Sequence, residues 1–296
     1  MATMHVGLER IGRWTDETRF QVTEQRVRAF AAATNDDHPL YARGVLAPPL
    51  FAVVPVSEHV ARALDGMVAV EDRRWGLHAG QDMRFHRPIS PGIVLHTRAA
   101  PIGVQATPLG ATVVIKAQTR NDDGELLVEQ YVTLLFRRKL NGPGSGEDAP
   151  DHRLPAVFKA SARSEGRVRT VTHAVDPDQT YRYADASGDR NPIHLDPAFA
   201  RSVGLPGIIV HGMCTMAFAS RAVIRTACED DPRRLVRLAV RFARPVFPGQ
   251  TITTHIWPAG QHEGRATFGF ETLNPDGKAV LADGLGEVAT APASAR

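Results

Sequence analysis

The feature that most constrains this chain is an internal repeat. Three landmarks recur in the same order in its two halves: residues 23–34 with 176–187, residues 84–92 with 241–249, and residues 121–124 with 274–277. The first and third pairs are offset by 153 positions and the second by 157, with six of nine residues identical in the second. A repeat of this kind indicates two copies of one folding unit.

A segment with the composition of a linker separates the copies. Residues 141–150 are rich in glycine and proline and carry no large aliphatic or aromatic side chain. Such residues favour turns and extended connections over packed structure. We therefore predict a first module over residues 1–140, a linker over 141–155 and a second module over 156–296.

Each module has the same predicted elements. A short helix is followed by a polar loop and then by a longer helix, predicted over Met213–Cys228 and, in the first copy, over Leu50–Leu64, because apolar residues recur there at helical spacing. Strand patterns follow, in which apolar Leu238, Val240 and Phe242 alternate with other residues. The fold class predicted is α+β, with an antiparallel sheet wrapped on a central helix in each module.

The composition indicates a globular protein and disfavours a membrane-spanning or a secreted one. Hydrophobic residues make up 43% of the chain and charged residues 23%, which is typical of globular proteins. No apolar run approaches the ~18 residues of a membrane helix, and the amino terminus lacks the pattern of a secretory signal, so we expect a cytoplasmic protein. Cys214 and Cys228 are too far apart in one predicted helix to form a disulfide.

The first segment that suggests chemistry is Gly188-Asp-Arg-Asn-Pro-Ile-His194. Asp189 and His194 are presented together across a turn, and a carboxylate beside an imidazole forms a general acid–base pair. The Asn191 amide has a donor and an acceptor with which to orient either partner, and Pro192 restricts the backbone. The same composition is also that of an ordinary turn, and both interpretations stay open from the motif alone.

The second segment is Gly207-Ile-Ile-Val-His-Gly-Met213, which leads into the longer helix. A helix start exposes unpaired N–H groups with partial positive charge, and Gly212 would let a carbonyl oxygen approach closely. This suits the stabilisation of an enolate oxygen. The alternative is that Gly212 only allows close packing. His211 is interpreted as structural, because the sequence pairs it with no substrate group.

A metal site is a weaker interpretation. His194, His211 and Asp196 have suitable side chains, but their spacings match none of the compact ligand pairs of metal motifs. We therefore predict no metal.

With these residues in view, the chain resembles the MaoC-like, or R-specific enoyl-CoA hydratase 2, family of hot-dog proteins. The family pattern of Gly-Asp-x-Asn-Pro-aliphatic-His followed by Val-His-Gly-Met is met in full by residues 188–194 and 210–213. The resemblance is close over residues 170–290 and looser in the first half. It implies a double hot-dog fold.

The resemblance also implies an activity. Members hydrate (2E)-enoyl thioesters reversibly to (3R)-3-hydroxyacyl thioesters, and Asp189 and His194 match the catalytic pair. Gly212 matches the amide that polarises the thioester carbonyl, Asn191 matches an orienting amide, and Ser220 matches a supporting hydroxyl. No metal or redox cofactor is implied, since the conjugated carbonyl itself assists the attack of water.

The first module departs from the pattern. In the loop over residues 35–41, Asp36 aligns with Asp189, but His38 aligns with Asn191 and Tyr41 with His194. Pro49 aligns with Gly212, and proline has no N–H to donate. We therefore predict that the first copy does no chemistry and supplies part of the acyl-chain tunnel.

Two rival functions stay open: a hot-dog acyl-CoA thioesterase, and a subunit that binds acyl thioesters without turnover. The expected partners are an acyl-CoA or acyl carrier protein thioester and a second copy of the chain in a homodimer, with neither nucleic acid nor membrane. The basic residues that would bind the CoA phosphates are not identified, although four arginines are candidates: Arg84, Arg87, Arg241 and Arg244.

Overall fold

The computed structural model describes residues 2–290. The chain divides into two compact units, each assembled from separate stretches of sequence. Unit 1 comprises the residues up to Gln21 together with Pro55–His86 and Ile93–Asp151, and unit 2 comprises Val22–Val54, Arg87–Gly92 and the residues from His152 onward. No helix among the described residues is both long and apolar enough to cross a membrane.

Unit 1 is built on an antiparallel sheet. Its strands are β1 (Thr3–Met4), β2 (Thr18–Gln21), β3 (Gly76–Phe85), β4 (Val94–Thr107), β5 (Gly110–Arg120), β6 (Leu126–Phe136), β7 (Lys139–Leu140) and β8 (Ser145–Gly146). The main sheet has the order β2-β4-β5-β6-β3, and β1 pairs with β7 in parallel. The long strands β4 and β5 alternate between buried and partly exposed residues over part of their length, as expected of strands that cover a core with one face. Strand β6 instead has six consecutive buried residues, Leu127–Val132.

A short helix covers that sheet. Helices α3 (Ser57–Ala63) and α4 (Val70–Arg73) belong to unit 1, as does a 3₁₀ turn at Leu8–Arg10, and α3 packs on β4 and β5. The core between helix and sheet includes the buried side chains of Leu64, Met67, Ile115 and Phe136. Burial of such side chains contributes roughly 1.5–3 kcal/mol each to folding.

The strands of unit 2 are β9 (Arg169–Ala174), β10 (Leu235–Phe242), β11 (Thr251–His262), β12 (Arg265–Leu273) and β13 (Ala279–Ala289). They pair antiparallel in the order β10-β13-β12-β11-β9. The helices of this unit are α1 (Glu24–Ala33), α2 (Pro39–Ala42), α5 (Ala156–Ser164), α6 (Gln179–Ser187), α7 (Pro197–Ser202) and α8 (Gly212–Ala227), with 3₁₀ turns at Pro49–Val53, Pro192–His194 and Pro232–Arg234.

Helix α8 is the central helix of unit 2. It contacts strands β9, β10, β11 and β13, and its side chains from Cys214 to Ser220 are all buried. The sequence placed this helix at Met213–Cys228, within one residue of both ends, because its apolar residues follow helical spacing for four turns. Cys214 and Cys228 are both buried and free, as predicted.

The counterpart helix predicted over Leu50–Leu64 is wrong as a single element. A 3₁₀ turn occupies Pro49–Val53, and α3 begins only at Ser57. Pro55 lies between them, and an interior proline removes one helical hydrogen bond and clashes with the carbonyl of the preceding turn. The apolar spacing was read correctly, but the proline interrupts the helix.

The predicted linker carries some regular structure. Strand β8 lies inside it and pairs with Gly103 and Val104 of β4. A side chain at Gly103 would meet the backbone of Glu147, so the glycine allows this close approach. The division at residues 141–155 stays a prediction, since unit 2 includes Val22–Val54 from the first copy.

Candidate active site

The Asp189 loop begins where α6 ends. Gly188 has φ +80°, a left-handed conformation that stops the helix at little cost for glycine. The Asp189 N–H then donates to Ser187 Oγ at 3.2 Å, and the Asp189 carboxylate accepts from the Asn191 N–H at 3.1 Å. The carboxylate is thus held by its own turn, half-buried, with its position set by residues adjacent in sequence.

Asn191 and Pro192 continue this turn into a short helix. The Asn191 side-chain oxygen accepts from the Ile193 N–H at 3.2 Å and caps the 3₁₀ turn Pro192–His194, with proline in its favoured first position. The orienting role of Asn191 toward Asp189 or His194 side chains stays a prediction, because its carbonyl oxygen is used locally and the residue is exposed.

His194 is held by a segment that is distant in sequence. Its Nδ1 lies 2.7 Å from the Ile209 carbonyl oxygen, which can only accept, so Nδ1 carries the proton and Nε2 has the lone pair in the neutral ring. The side chain is buried, and burial lowers its pKa from the ordinary value. A neutral imidazole with a lone pair on Nε2 is a competent general base near neutral pH.

His211 lies directly against His194. The two rings stack with centroids 3.8 Å apart at 26°, and Tyr183 packs on His211 at 4.8 Å. His211 Nε2 donates to the backbone carbonyl of Asp189 at 3.0 Å. Burial first, and the neighbouring His194 second, lower the pKa of His211 to about 4. This stack is not predictable from the sequence, because His211 follows His194 by 17 positions and no single regular element connects them.

The potential ligand atoms of Asp189, His194 and His211 all lie within 4.8 Å of one another. Imidazole lone pairs lie in the ring plane, so two stacked rings direct them side by side, whereas a tetrahedral metal needs them to converge. Asp196, the third residue of the metal set considered from sequence, instead caps α7 by accepting from the N–H groups of Ala198 and Phe199.

Gly212 is the first residue of α8, immediately after His211. The N–H groups of the first turn of any helix have no intrahelical acceptor, and no side chain in the described part of the chain caps α8. A Cβ at Gly212 would lie 3.1 Å from the ring of Phe242. Glycine therefore allows close packing against this ring, which agrees with the simpler sequence interpretation. The role of the Gly212 N–H toward a thioester carbonyl stays a prediction.

Ser220 lies two turns further along α8, about 12 Å by helical rise from Gly212. It is buried, and its hydroxyl has no hydrogen-bond partner within residues 2–290. A buried hydroxyl without a partner is unusual. Its supporting role stays a prediction, since no described contact joins Ser220 to Asp189 or His194.

The corresponding loop of the first copy has the same backbone turn. Asp36 accepts from the His38 N–H at 3.2 Å, and His38 Nδ1 accepts from the Leu40 N–H at 3.2 Å, as Asp189 and Asn191 do in their loop. Tyr41 is fully buried at the position of His194, with a hydroxyl that lacks a partner among the described residues.

Arginines from α8 hold this first loop. Arg221 binds the Asn35 carbonyl and the Asp37 carboxylate, the latter at 2.5 Å, and Arg225 binds Asp37 at 2.8 Å. The Asp36 carboxylate is buried beside Arg221, at 3.9 Å from its Nε, and burial raises the pKa of Asp36. We call these residues, Asn35, Asp36, Asp37, Arg221 and Arg225, the arginine clamp.

Three of the four candidate phosphate-binding arginines already have partners. Arg241 pairs with Asp283 at 2.7 Å, Arg244 donates to the Ala279 carbonyl at 3.0 Å, and Arg84 lies 3.8 Å from Glu129. Arg87 is exposed. No one of them is singled out as a phosphate ligand.

Family models match both halves of the chain. Residues 159–276 match the MaoC like domain, and residues 9–130 match the FAS1-like dehydratase domain region. The 3-hydroxyacyl-thioester dehydratase Y of Mycobacterium tuberculosis is 33% identical over 218 residues, covering 71% of this chain and 72% of that protein. The peroxisomal enoyl-CoA hydratase 2 of Arabidopsis thaliana is 32% identical over 192 residues, covering 62% and 60% respectively.

Solved structures resemble the fold. A MaoC-like dehydratase from Phytophthora capsici superposes with a TM-score of 0.80 at 22% identity, covering 97% of this chain and 100% of that one. A conserved protein of Mycobacterium tuberculosis described as a double hotdog fold superposes with a TM-score of 0.63 at 16% identity, covering 94% and 96%. The predicted double hot-dog fold is thereby confirmed.

Proposed function

The chain belongs to the MaoC-like dehydratase family, and we propose that its second copy hydrates (2E)-enoyl thioesters reversibly to (3R)-3-hydroxyacyl thioesters. The protein is a hydratase or dehydratase, as are the relatives it matches. The observation that supports the site is the grouping of Asp189, His194 and His211 within 4.8 Å, next to the start of α8.

In the proposed reaction, one water lies between Asp189 and the Nε2 atom of His194. Asp189 accepts one hydrogen of the water and orients it, and Nε2 takes the other proton as the oxygen attacks C3. The electron pair of the C2–C3 double bond moves toward the thioester carbonyl, and the enolate oxygen accepts from the Gly212 N–H. Protonated His194 then delivers its proton to C2, which restores both side chains.

The lowered pKa of His194 fits both halves of this cycle. Burial keeps the ring neutral at neutral pH, so the lone pair is present when the water must be deprotonated. It also makes the protonated ring a stronger acid, which favours return of the proton to C2. We propose that no metal or redox cofactor takes part, because the conjugated carbonyl accepts the electrons of the attack.

The experiment is an absorbance assay of crotonyl-CoA hydration with matched variants of the two loops. Asp189→Asn keeps the size of the side chain and removes its negative charge, and we expect hydration to fall by about a thousandfold. Tyr41→Phe is the control, since it removes only a buried hydroxyl that has no partner among residues 2–290. Full activity of Asp189→Asn, with both variants folded, would exclude this site.

The same assay separates the rival functions. Release of free thiol from a saturated acyl-CoA would identify a thioesterase, and tight acyl-CoA binding without turnover would identify a binding subunit. Parallel assays of CoA and carrier-protein substrates decide the carrier, for which we propose CoA. A homodimer and a cytoplasmic location stay proposals, and the plant relative is itself named peroxisomal.

A further inference from the structure

His211 contacts the other parts of the candidate site, although the reaction described above does not use it. Its ring stacks on His194 at 3.8 Å, its Nε2 binds the carbonyl of Asp189 at 3.0 Å, and its own carbonyl precedes the N–H of Gly212 in the chain. One side chain therefore joins two elements that are separated by 22 positions in the sequence.

The direction of the hydrogen bond is fixed by its partner. A backbone carbonyl only accepts, so Nε2 of His211 carries a proton, and the lone pair of the neutral ring lies on Nδ1. The side chain is 1% exposed, with Tyr183 packed on it at 4.8 Å, so it has little freedom to move. A hydrogen bond that is shielded from solvent holds its acceptor firmly, because no water molecule is available to replace the donor.

We propose that His211 is a positioning residue of the hydration site, which holds the Asp189 loop in place through its Nε2–H donor. This rests on the proposed function, because it assigns His211 a task only if Asp189 and His194 carry the chemistry. His211 touches neither the water nor the substrate in this arrangement.

The first copy agrees with this assignment. Pro48 stands at the position of His211, next to Pro49 at the position of Gly212. A proline side chain offers neither a donor nor an aromatic face. The loop of that copy is instead held by the arginine clamp, so the copy that keeps the turn but lacks the imidazole is also the copy predicted to do no chemistry.

The test separates the two contacts of His211. His211→Phe keeps a flat ring against His194 and Tyr183 but has no donor, whereas His211→Gln keeps an N–H donor and loses the ring. For His211→Phe we expect kcat for crotonyl-CoA to fall by about ten- to a hundredfold, because small misplacements of reacting groups have effects of this size. KM should stay within about twofold of wild type, and His211→Gln should recover most of kcat. Tm of each variant, from thermal unfolding, shows whether the fold is kept.

Wild-type kcat in His211→Phe would overturn the proposal, as would an equal loss of kcat in His211→Gln. A parallel change of KM and Tm with kcat would also overturn it, because that pattern belongs to a structural residue. If His211→Phe does not fold, His211→Met replaces it as the variant without a donor. Asp189→Asn, assayed alongside, distinguishes failure of the His211 positioning role from failure of the proposed hydration site. If it is inactive, failure of the His211 variants counts against positioning alone; if it is active, the proposed function itself fails.

Discussion

The loops at Asp36–Tyr41 and Asp189–His194 share a backbone and differ in what surrounds it. In each, the aspartate accepts from the N–H two residues later, and the side chain there accepts from a further N–H two residues on. In the second copy the last residue is His194, which stacks on His211 next to the first residue of α8, Gly212. In the first copy it is a buried tyrosine, and arginines bind the loop.

The turn depends on interactions between near neighbours in the sequence, so both copies keep it although the side chains that it carries differ. In the first copy, the ion pairs of the arginine clamp join the loop to the second half of α8, the helix that begins at Gly212.

The largest effect is expected when the second loop receives the residue of the first at position 194. His194→Tyr copies the first loop, and we expect hydration of crotonyl-CoA to fall by about a thousandfold, because a phenol hydroxyl has no lone pair basic enough to take a proton from water at neutral pH. The reverse change, Tyr41→His placed in the His194→Tyr protein, should restore nothing, since Pro49 still lacks an N–H. Recovered activity would mean that the first loop needs only its imidazole.

A second conversion concerns the helix start. Gly212→Pro copies Pro49, and we expect kcat to fall by about a hundred- to a thousandfold, as for loss of one oxyanion donor. Proline suits the first position of a helix, and His211 before it has ψ 135°, an extended conformation that proline tolerates.

Gly212→Ala is the matched control for this change. It keeps the N–H and adds the same Cβ, which must push the Phe242 ring by a few tenths of an ångström. Its kcat should therefore lie well above that of Gly212→Pro. Equal kcat values for the two variants would show that packing against Phe242, and not the N–H, explains the glycine.

The smallest expected effect is on the pH dependence of stability, through His173, which lies near Arg221 and Arg225 of the arginine clamp. Burial, then the charges of Arg221 and Arg225, lower the pKa of His173 to about 4. Since the unfolded chain takes up this proton near pH 6.5 and the folded chain only near pH 4, acid favours unfolding, and stability is lost as pH falls through that window.

His173→Leu should remove this dependence. At pH 5 the wild-type penalty from this residue is about 2 kcal/mol, so the free energy of unfolding should change less between pH 7.5 and pH 5 in the variant than in wild type, by roughly that amount. Denaturant titrations at the two pH values measure it. An unchanged pH dependence would show that His173 finds a proton-accepting partner when charged.

Much of the candidate site can be predicted from the sequence because its hydrogen bonds join residues that are close together in the chain. The turn residues Asp189, Asn191 and Pro192 act within a few positions of one another, and the apolar spacing of α8 gave its bounds almost to the residue. The helix predicted over residues 50–64 is wrong because Pro55 interrupts the apolar pattern. Asp196, a member of the metal set that the spacing disfavours, caps α7 instead, and this capping is a local signal that the sequence contains.

The repeat, the two turns, the central helix and the absence of an imidazole and an N–H at positions 41 and 49 follow from the amino-acid sequence alone. They depend on interactions between near neighbours or on the identity of single residues. Three other features appear only in the folded chain: His211 stacks on His194, Ile209 fixes the tautomer of His194, and α8 arginines bind the first loop. Each of these joins residues that are distant in sequence, and their distances depend on how the loops and helices pack, which no spacing along the chain encodes.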